Sequence, residues 1–181
     1  YTPGSWGYIG GEIFRRSPGR IGTTAEVKDT RNVPLLQTKR KGIKAYRFDL
    51  PDGDYEVELL FADLNARSER VTYDLGAVAT LDNADFRGSV FNVSVNGRPW
   101  LSHFSPAIEV GGNRCISKKL RIAVTGGNLT VDFEAVKGMT FLNGIKIYVN
   151  FLEFILNGYQ KFVIQIAILE IQILRDFLIN Q

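Results

Sequence analysis

The chain has 181 residues, of which 45% are hydrophobic, and its formal net charge is +3. This length suits one domain with an appendage, and such a domain can bury a core without disulfides or metals. Cys115 is the only cysteine, which excludes an internal disulfide. A reducing compartment or a bacterial exported protein that does not use disulfides would both fit. The weak basic charge argues against a nucleic-acid binder, whose Lys and Arg residues usually cluster.

The N-terminal part predicts two short strands. Residues 8–14 form the first, in which the adjacent Gly10 and Gly11 indicate a β-bulge or a close backbone approach. Residues 33–38 predict a short edge strand. We interpret the densest basic run, residues 39–41, as a solvated approach to the next hairpin. Because the chain starts at Tyr1 with no initiator Met and no signal-peptide pattern, we expect a fragment or a processed piece.

Residues 43–64 carry the clearest pattern in the chain. Apolar and polar residues alternate on both sides of Pro51-Asp52-Gly53, which predicts an antiparallel hairpin with one buried and one solvated face. Gly53 supplies the positive φ that such a turn needs. Residues 65–88 are polar and of mixed charge, and they predict a long surface connection.

The remaining strands follow at regular spacing. Asn96-Gly97 between apolar runs is the strongest short-range signal of a hairpin. Residues 115–124, 129–135 and 141–149 predict three more strands, the first two joined by a turn at 126–128. About eight or nine short strands without a helical stripe indicate an all-β, antiparallel β-sandwich of the jelly-roll type over residues 1–149.

Residues 150–181 differ in composition from everything before them. Ile, Leu, Phe, Gln and Asn dominate this tail, and polar residues recur at every third or fourth position, which favours a largely apolar helix. Charged residues interrupt every window long enough to span a membrane. Three interpretations remain open: a helix packed on the sandwich or on a partner, a membrane-surface helix, and a non-native extension translated beyond a frameshift or truncation.

The sequence offers little for catalysis or metal binding. His103 is the only histidine and Cys115 the only thiol, and we interpret both as structural or surface residues. No His pair or Cys cluster has the spacing of a zinc site. We interpret Asp74, Asp82 and Asp85 as solvated loop acids rather than calcium ligands. We therefore expect no metal, no cofactor and no catalytic residue in this chain.

Several aromatic and basic residues fall in predicted loops, and flat rings beside hydrogen-bonding groups suit sugars. They are Tyr8, Phe14, Arg15, Arg16, Trp100, His103 and Phe104.

The order of several short segments resembles the malectin-like β-sandwich found at the C-terminus of bacterial β-galactosidases and related enzymes of glycoside hydrolase family 2. The segments are 11–16 (GEIFRR), 19–22 (GRIG), 36–40 (LQTKR), 60–63 (LFAD), 91–97 (FNVSVNG), 136–138 (VKG) and 142–147 (LNGIKI). Together they cover residues 1–149, and the tail lies outside the resemblance.

The resemblance implies a carbohydrate site on loops at one end of the sandwich, where malectin holds a glucose disaccharide with aromatic residues and an aspartate. Phe14 falls at a loop tyrosine of the family and Lys41 near a second one. Leu64-Asn65 replace an aromatic pair, and no acid stands near Phe141. The candidate carbohydrate-binding residues are Phe14, Arg15, Lys41, Asn65 and Phe141.

From this resemblance we expect a non-catalytic accessory domain, for carbohydrate binding or scaffolding, of a bacterial β-galactosidase-like glycoside hydrolase. Its partner would be a glycan or the catalytic domain of the parent enzyme, in the periplasm or outside the cell. We expect no nucleic acid and no membrane as partner. The alternative is a free-standing protein-interaction module that docks or self-associates through its apolar tail.

Overall fold

The computed structural model describes residues 1–64 and 88–149. Within these ranges there are eleven strands and two short helices. The strands are β1 (Trp6–Ile13), β2 (Arg15–Ser17), β3 (Arg20–Ile21), β4 (Arg40–Asp49), β5 (Gly53–Ala62), β6 (Val90–Val95), β7 (Arg98–Phe104), β8 (Cys115–Val124), β9 (Asn128–Lys137), β10 (Phe141–Leu142) and β11 (Gly144–Val149). The helices are α1 (Val33–Leu36) and α2 (Pro106–Val110).

Two antiparallel sheets enclose one main core. The larger sheet has the strand order β1-β4-β9-β6-β7, with β10 paired to β4, and the smaller sheet has the order β11-β5-β8. Phe48 and Val131 from the larger sheet and Leu59 from the smaller sheet are fully buried in the same cluster. Strands such as β6 and β9 alternate inward apolar and outward polar residues, which is why the alternation was visible in the sequence. The second half of β5 is instead buried on both faces, because Leu60 and Ala62 pack with Leu36 in a second, smaller cluster. The predicted all-β sandwich is confirmed.

The predicted central hairpin is wrong in its pairing, although both of its strands exist. β4 pairs with β1, β9 and β10, whereas β5 pairs with β8 and β11, so the turn at 50–52 crosses from one sheet to the other. Alternation reports that a strand has one buried face, and it does not report which strand lies beside it. A second crossing turn lies next to the first, because Gly127 N donates to Asp52 Oδ1 at 2.8 Å.

The predicted strand over 8–14 and the Asn-Gly hairpin are confirmed. β1 shifts register against β4 between Ile9 and Gly10, where the sequence indicated a bulge. Gly11 has φ +77° there, and a Cβ on it would come within 2.9 Å of the Ile43 nitrogen. Asn96 and Gly97 both have positive φ, as a tight hairpin between β6 and β7 requires.

Three other predictions need correction. Residues 33–38 are not an edge strand but contain helix α1, in whose first turn Pro34 is tolerated while Leu36 is buried. Helix α2 was missed because five residues are too short to show a helical period. The single strand predicted over 141–149 is divided at Asn143, since β10 belongs to the larger sheet and β11 to the smaller.

The long connection predicted over 65–88 falls, up to residue 87, outside the described residues, and so does the whole tail, 150–181. No helix in the described ranges is long and apolar enough to cross a membrane.

Tyr46 makes the core sensitive to alkaline pH. Burial raises the pKa of Tyr46 to about 12. Above the ordinary value of 10.0 the unfolded chain loses this proton while the folded chain keeps it, so stability falls as pH rises toward 12. We expect wild type to lose about 2 kcal/mol more than Tyr46→Phe between about pH 9 and about pH 11.5 in urea unfolding. Parallel losses in the two proteins would contradict this assignment.

Candidate functional site

Strand register brings three of the predicted site residues to one end of the sandwich, called here the loop end. Lys41 at the start of β4 lies opposite Phe141 of β10 on one side and opposite Glu12 of β1 on the other. Phe14 follows β1 directly, and its backbone nitrogen donates to the Lys39 carbonyl at 2.8 Å. The loop end is thus built from the ends of three neighbouring strands.

A buried ion pair fills the centre of the loop end. Lys39 Nζ lies 3.3 Å from Asp63 Oδ1, and each side chain is only 2% exposed. The same ammonium lies 4.1 Å from the centroid of the Phe141 ring and 5.6 Å from that of Phe14. The interpretation of residues 39–41 as solvated is therefore wrong for Lys39, whose side chain points inward between two rings.

Two opposing effects act on the Lys39 ammonium. Burial lowers the pKa of Lys39, because the charged form loses its hydration, and the neighbouring Asp63 carboxylate partly restores it. Asp63 also accepts a hydrogen bond at Oδ2 from Ser89 N at 3.3 Å. The pair thus connects the start of β4 with the end of β5 and the entry to β6.

The predicted site residues differ in their access to solvent. The Phe14 and Phe141 side chains are buried, at 8% and 1% exposure. Arg15 is exposed on β2, and Lys41 is partly exposed and pairs with Glu12 at 2.9 Å. Asn65 lies outside the described residues. Glycan binding by these residues stays a prediction, and in the described part of the loop end Arg15 and Lys41 are the members that solvent reaches.

Asn143 holds the loop end together, and sequence reasoning did not single out its side chain. It is fully buried, and its Oδ1 accepts from Ala62 N at 2.8 Å. Its Nδ2 donates to the carbonyls of Leu36 at 3.1 Å and Thr38 at 2.7 Å. The available signal was an amide side chain inside an apolar strand pattern, because a buried amide must find several partners.

A cleft of about 930 Å³ lies at the opposite end, where edge strand β7 faces edge strand β8. Its lining includes Trp100 and Arg98 from β7 and Arg121 from β8. Lys41 and Arg47 lie six residues apart on β4, so the strand separates the loop end from this cleft by roughly 20 Å. The aromatic residues noted in the sequence are therefore not gathered in one site. Phe14 lies at the loop end and Trp100 in the cleft, whereas Tyr8 lies opposite Tyr46 within the larger sheet and the Phe104 ring packs in the core, its centroid 5.0 Å from that of Phe61.

Outward-facing carboxylates of the smaller sheet are paired with cations. Glu56 lies 3.4 Å from the Lys119 ammonium, and Glu58 lies 3.7 Å from that of Lys146. The part of the chain described by the structure contains no group of three or more His, Cys, Asp or Glu residues that could hold a metal ion. Asp74, Asp82 and Asp85 lie outside that part.

The model of the malectin domain family matches residues 13–150. The chain belongs to this family. A β-glucuronidase of Bacteroides uniformis is similar to this malectin domain, with 36% sequence identity and a TM-score of 0.65, over 81% of this chain and 14% of that chain. β-Glucuronidase 2 of the same organism, covalently bound to cyclophellitol-6-carboxylate aziridine, shows 36% identity and a TM-score of 0.63, again over 81% of this chain and 14% of that chain.

Plant receptor ectodomains share the fold at lower identity. The ANXUR1 extracellular domain of Arabidopsis thaliana has 16% identity and a TM-score of 0.54, over 79% of this chain and 39% of that chain. Among curated proteins there is no significant match. The malectin domain thus resembles a domain of a glycoside hydrolase family 2 enzyme, and it spans about 14% of the length of those bacterial enzymes.

Proposed function

We propose that this malectin domain is a non-catalytic accessory domain of a bacterial, β-galactosidase-like glycoside hydrolase, in which it binds carbohydrate or packs against the catalytic domain. The observation that carries the proposal is the 36% identity over 81% of the chain to a domain-sized part of a bacterial β-glucuronidase. Periplasmic or extracellular location is part of the same proposal.

The geometry is suited to a binding role. Two packed sheets form a rigid support. The loop end offers exposed hydrogen-bonding groups over a buried aromatic layer, and the cleft at the opposite end adds the partly exposed Trp100 ring, so both ends carry groups that suit carbohydrate recognition. At the loop end, Arg15 and Lys41 face solvent beside the buried Phe14 and Phe141 rings. With Asn65, these are the residues that we propose for a first glycan site.

The proposal predicts that glycans perturb the isolated chain at millimolar concentration. A panel of neutral and acidic oligosaccharides would be titrated into the ¹⁵N-labelled protein, with amide shifts as the readout. We expect Lys41→Ala to weaken any binding at the loop end about three- to tenfold, because a charge-assisted hydrogen bond is lost. Lys44→Ala, on the exposed side of the same strand, is the matched control.

The scaffold version of the proposal has a different signature. If no glycan shifts any resonance, and deletion of this domain lowers the melting temperature of the parent enzyme, then the domain acts by packing against the catalytic domain. Full activity and stability of the parent without this domain, together with no glycan binding, would reject both versions.

A further inference from the structure

The cleft between β7 and β8 combines an aromatic wall with an excess of positive charge. Trp100 from β7 and Leu120 and Ile122 from β8 are partly buried hydrophobic residues that line it. Its charged lining consists of Arg47, Arg98, Arg121 and Asp132. When Glu56, which pairs with Arg121 on the rim, is counted, the three guanidinium groups outnumber the carboxylates by one, and a surface with an excess of positive charge attracts anions.

The arginines differ in how far they are already engaged. Arg121 Nε lies 3.5 Å from Glu56 Oε2, on the rim of the cleft. Within residues 1–64 and 88–149, neither Arg47 nor Arg98 has an ion-pair partner within 4.0 Å. Arg98 is exposed beside Trp100 on the same strand, so its five donors can reach a ligand.

We infer that this cleft is a second glycan site, specific for an acidic oligosaccharide whose carboxylate or sulfate pairs with Arg98 while a sugar ring packs on Trp100. The inference rests on the proposed carbohydrate-binding function, and it adds the site and the ligand class. A guanidinium group matches the geometry of a carboxylate in a bidentate pair, and an aromatic side chain offers the apolar surface that a sugar ring covers.

A neighbouring cleft provides room for further sugar units. It measures about 410 Å³ and shares Gly97, Pro99 and Asp132 with the first cleft. Its other polar lining residues are Asn92, Ser94, Ser102 and Glu134. These hydroxyl, amide and carboxylate groups suit sugar hydroxyls, whereas Asp132 and Glu134 would repel a ligand with an anion on every unit, such as a nucleic acid.

The test uses the full chain and three tetrasaccharides. They are a galactose trimer extended by one galacturonic acid unit, its neutral methyl ester, and a galactose tetramer with a single sulfate group, each measured by isothermal titration calorimetry. We expect at least one acidic tetramer to bind about tenfold or more tightly than the neutral ester, with an affinity that falls as salt rises. Comparison of the two acidic tetramers shows whether carboxylate or sulfate is the preferred anion.

Substitutions of single arginines test where the acidic tetramer binds. Arg98→Gln is expected to weaken the acidic tetramer about tenfold, and Arg31→Gln, an exposed arginine in the loop before α1, is expected to leave it unchanged. Both side chains are exposed, so thermal unfolding should show that both variants keep the fold. Trp100 is less suitable for substitution, because it also packs against the core.

The outcomes separate the two proposals. Equal affinities of Arg98→Gln and Arg31→Gln for the acidic tetramer would overturn the second site, as would tighter binding of a single-stranded DNA octamer. Glycan binding that responds to Lys41→Ala but not to Arg98→Gln would support the proposed function and reject this inference. Absence of binding to every glycan would reject carbohydrate binding and the second site together.

Discussion

Replacing Asp63 with asparagine is expected to lower the free energy of unfolding by about 3–5 kcal/mol, because the Lys39 ammonium is then left buried without its counter-charge. Lys39 is 3% exposed and lies between the Phe14 and Phe141 rings, so it cannot recover its hydration without opening the loop end. Urea unfolding at neutral pH measures the loss. Asparagine has nearly the shape of aspartate, so packing changes contribute little to it.

A surface ion pair provides the matched control. Asp29 lies 3.0 Å from the Arg114 guanidinium, but the two side chains are 52% and 47% exposed. Asp29→Asn is therefore expected to cost less than about 1 kcal/mol. If Asp63→Asn and Asp29→Asn cost the same, the burial of the Lys39–Asp63 pair has no energetic consequence. The double variant Lys39→Met/Asp63→Asn should recover part of the loss, because no unpaired charge remains.

Asn143→Ala is expected to cost about 3 kcal/mol or more, since it leaves two buried backbone groups and one partly buried group without their partner at about 1–3 kcal/mol each. The groups are the Ala62 N–H and the carbonyls of Leu36 and Thr38. They belong to β5, to the end of α1 and to the segment between α1 and β4, so the loss should also loosen the loop end. Hydrogen exchange at the Ala62 amide, together with urea unfolding, measures both effects.

Asn92→Ala is the comparison for this prediction. Asn92 makes side-chain hydrogen bonds to Glu134 Oε2 at 3.1 Å and from His103 N at 2.9 Å, but at exposed sites where water can replace them. We expect it to cost less than about 1.5 kcal/mol. If Asn143→Ala costs no more than Asn92→Ala, then water reaches the backbone groups that the Asn143 side chain contacts.

Local patterns predicted the strands and the tight turn reliably. β9 alternates between buried residues such as Leu129 and Val131 and outward residues such as Thr130, so the two-residue period of a strand is visible in its sequence. Asn96-Gly97 predicted its hairpin because both residues tolerate positive φ. Helix α1 was misread because Pro34 suggested a strand edge, although proline also suits a first helical turn.

The candidate site was harder to predict, because side-chain direction depends on distant partners. Lys39 stands in a basic run with Arg40 and Lys41, and only the position of Asp63 shows that it points inward. The sequence marked Trp100 as an aromatic residue near a predicted hairpin, but the other wall of its cleft is formed by β8, which belongs to the other sheet. No local rule brings β7 and β8 side by side.

By itself, the sequence determined that residues 43–64 form two strands joined at Pro51-Asp52-Gly53, each with at least one buried face. The alternation of apolar and polar side chains encodes burial, which is a property of each strand alone. Only the tertiary structure decided that β4 and β5 lie in opposite sheets, because pairing depends on which backbone edges are free once all strands have packed. The same packing placed Lys39 beside Asp63 and opened the cleft at Trp100.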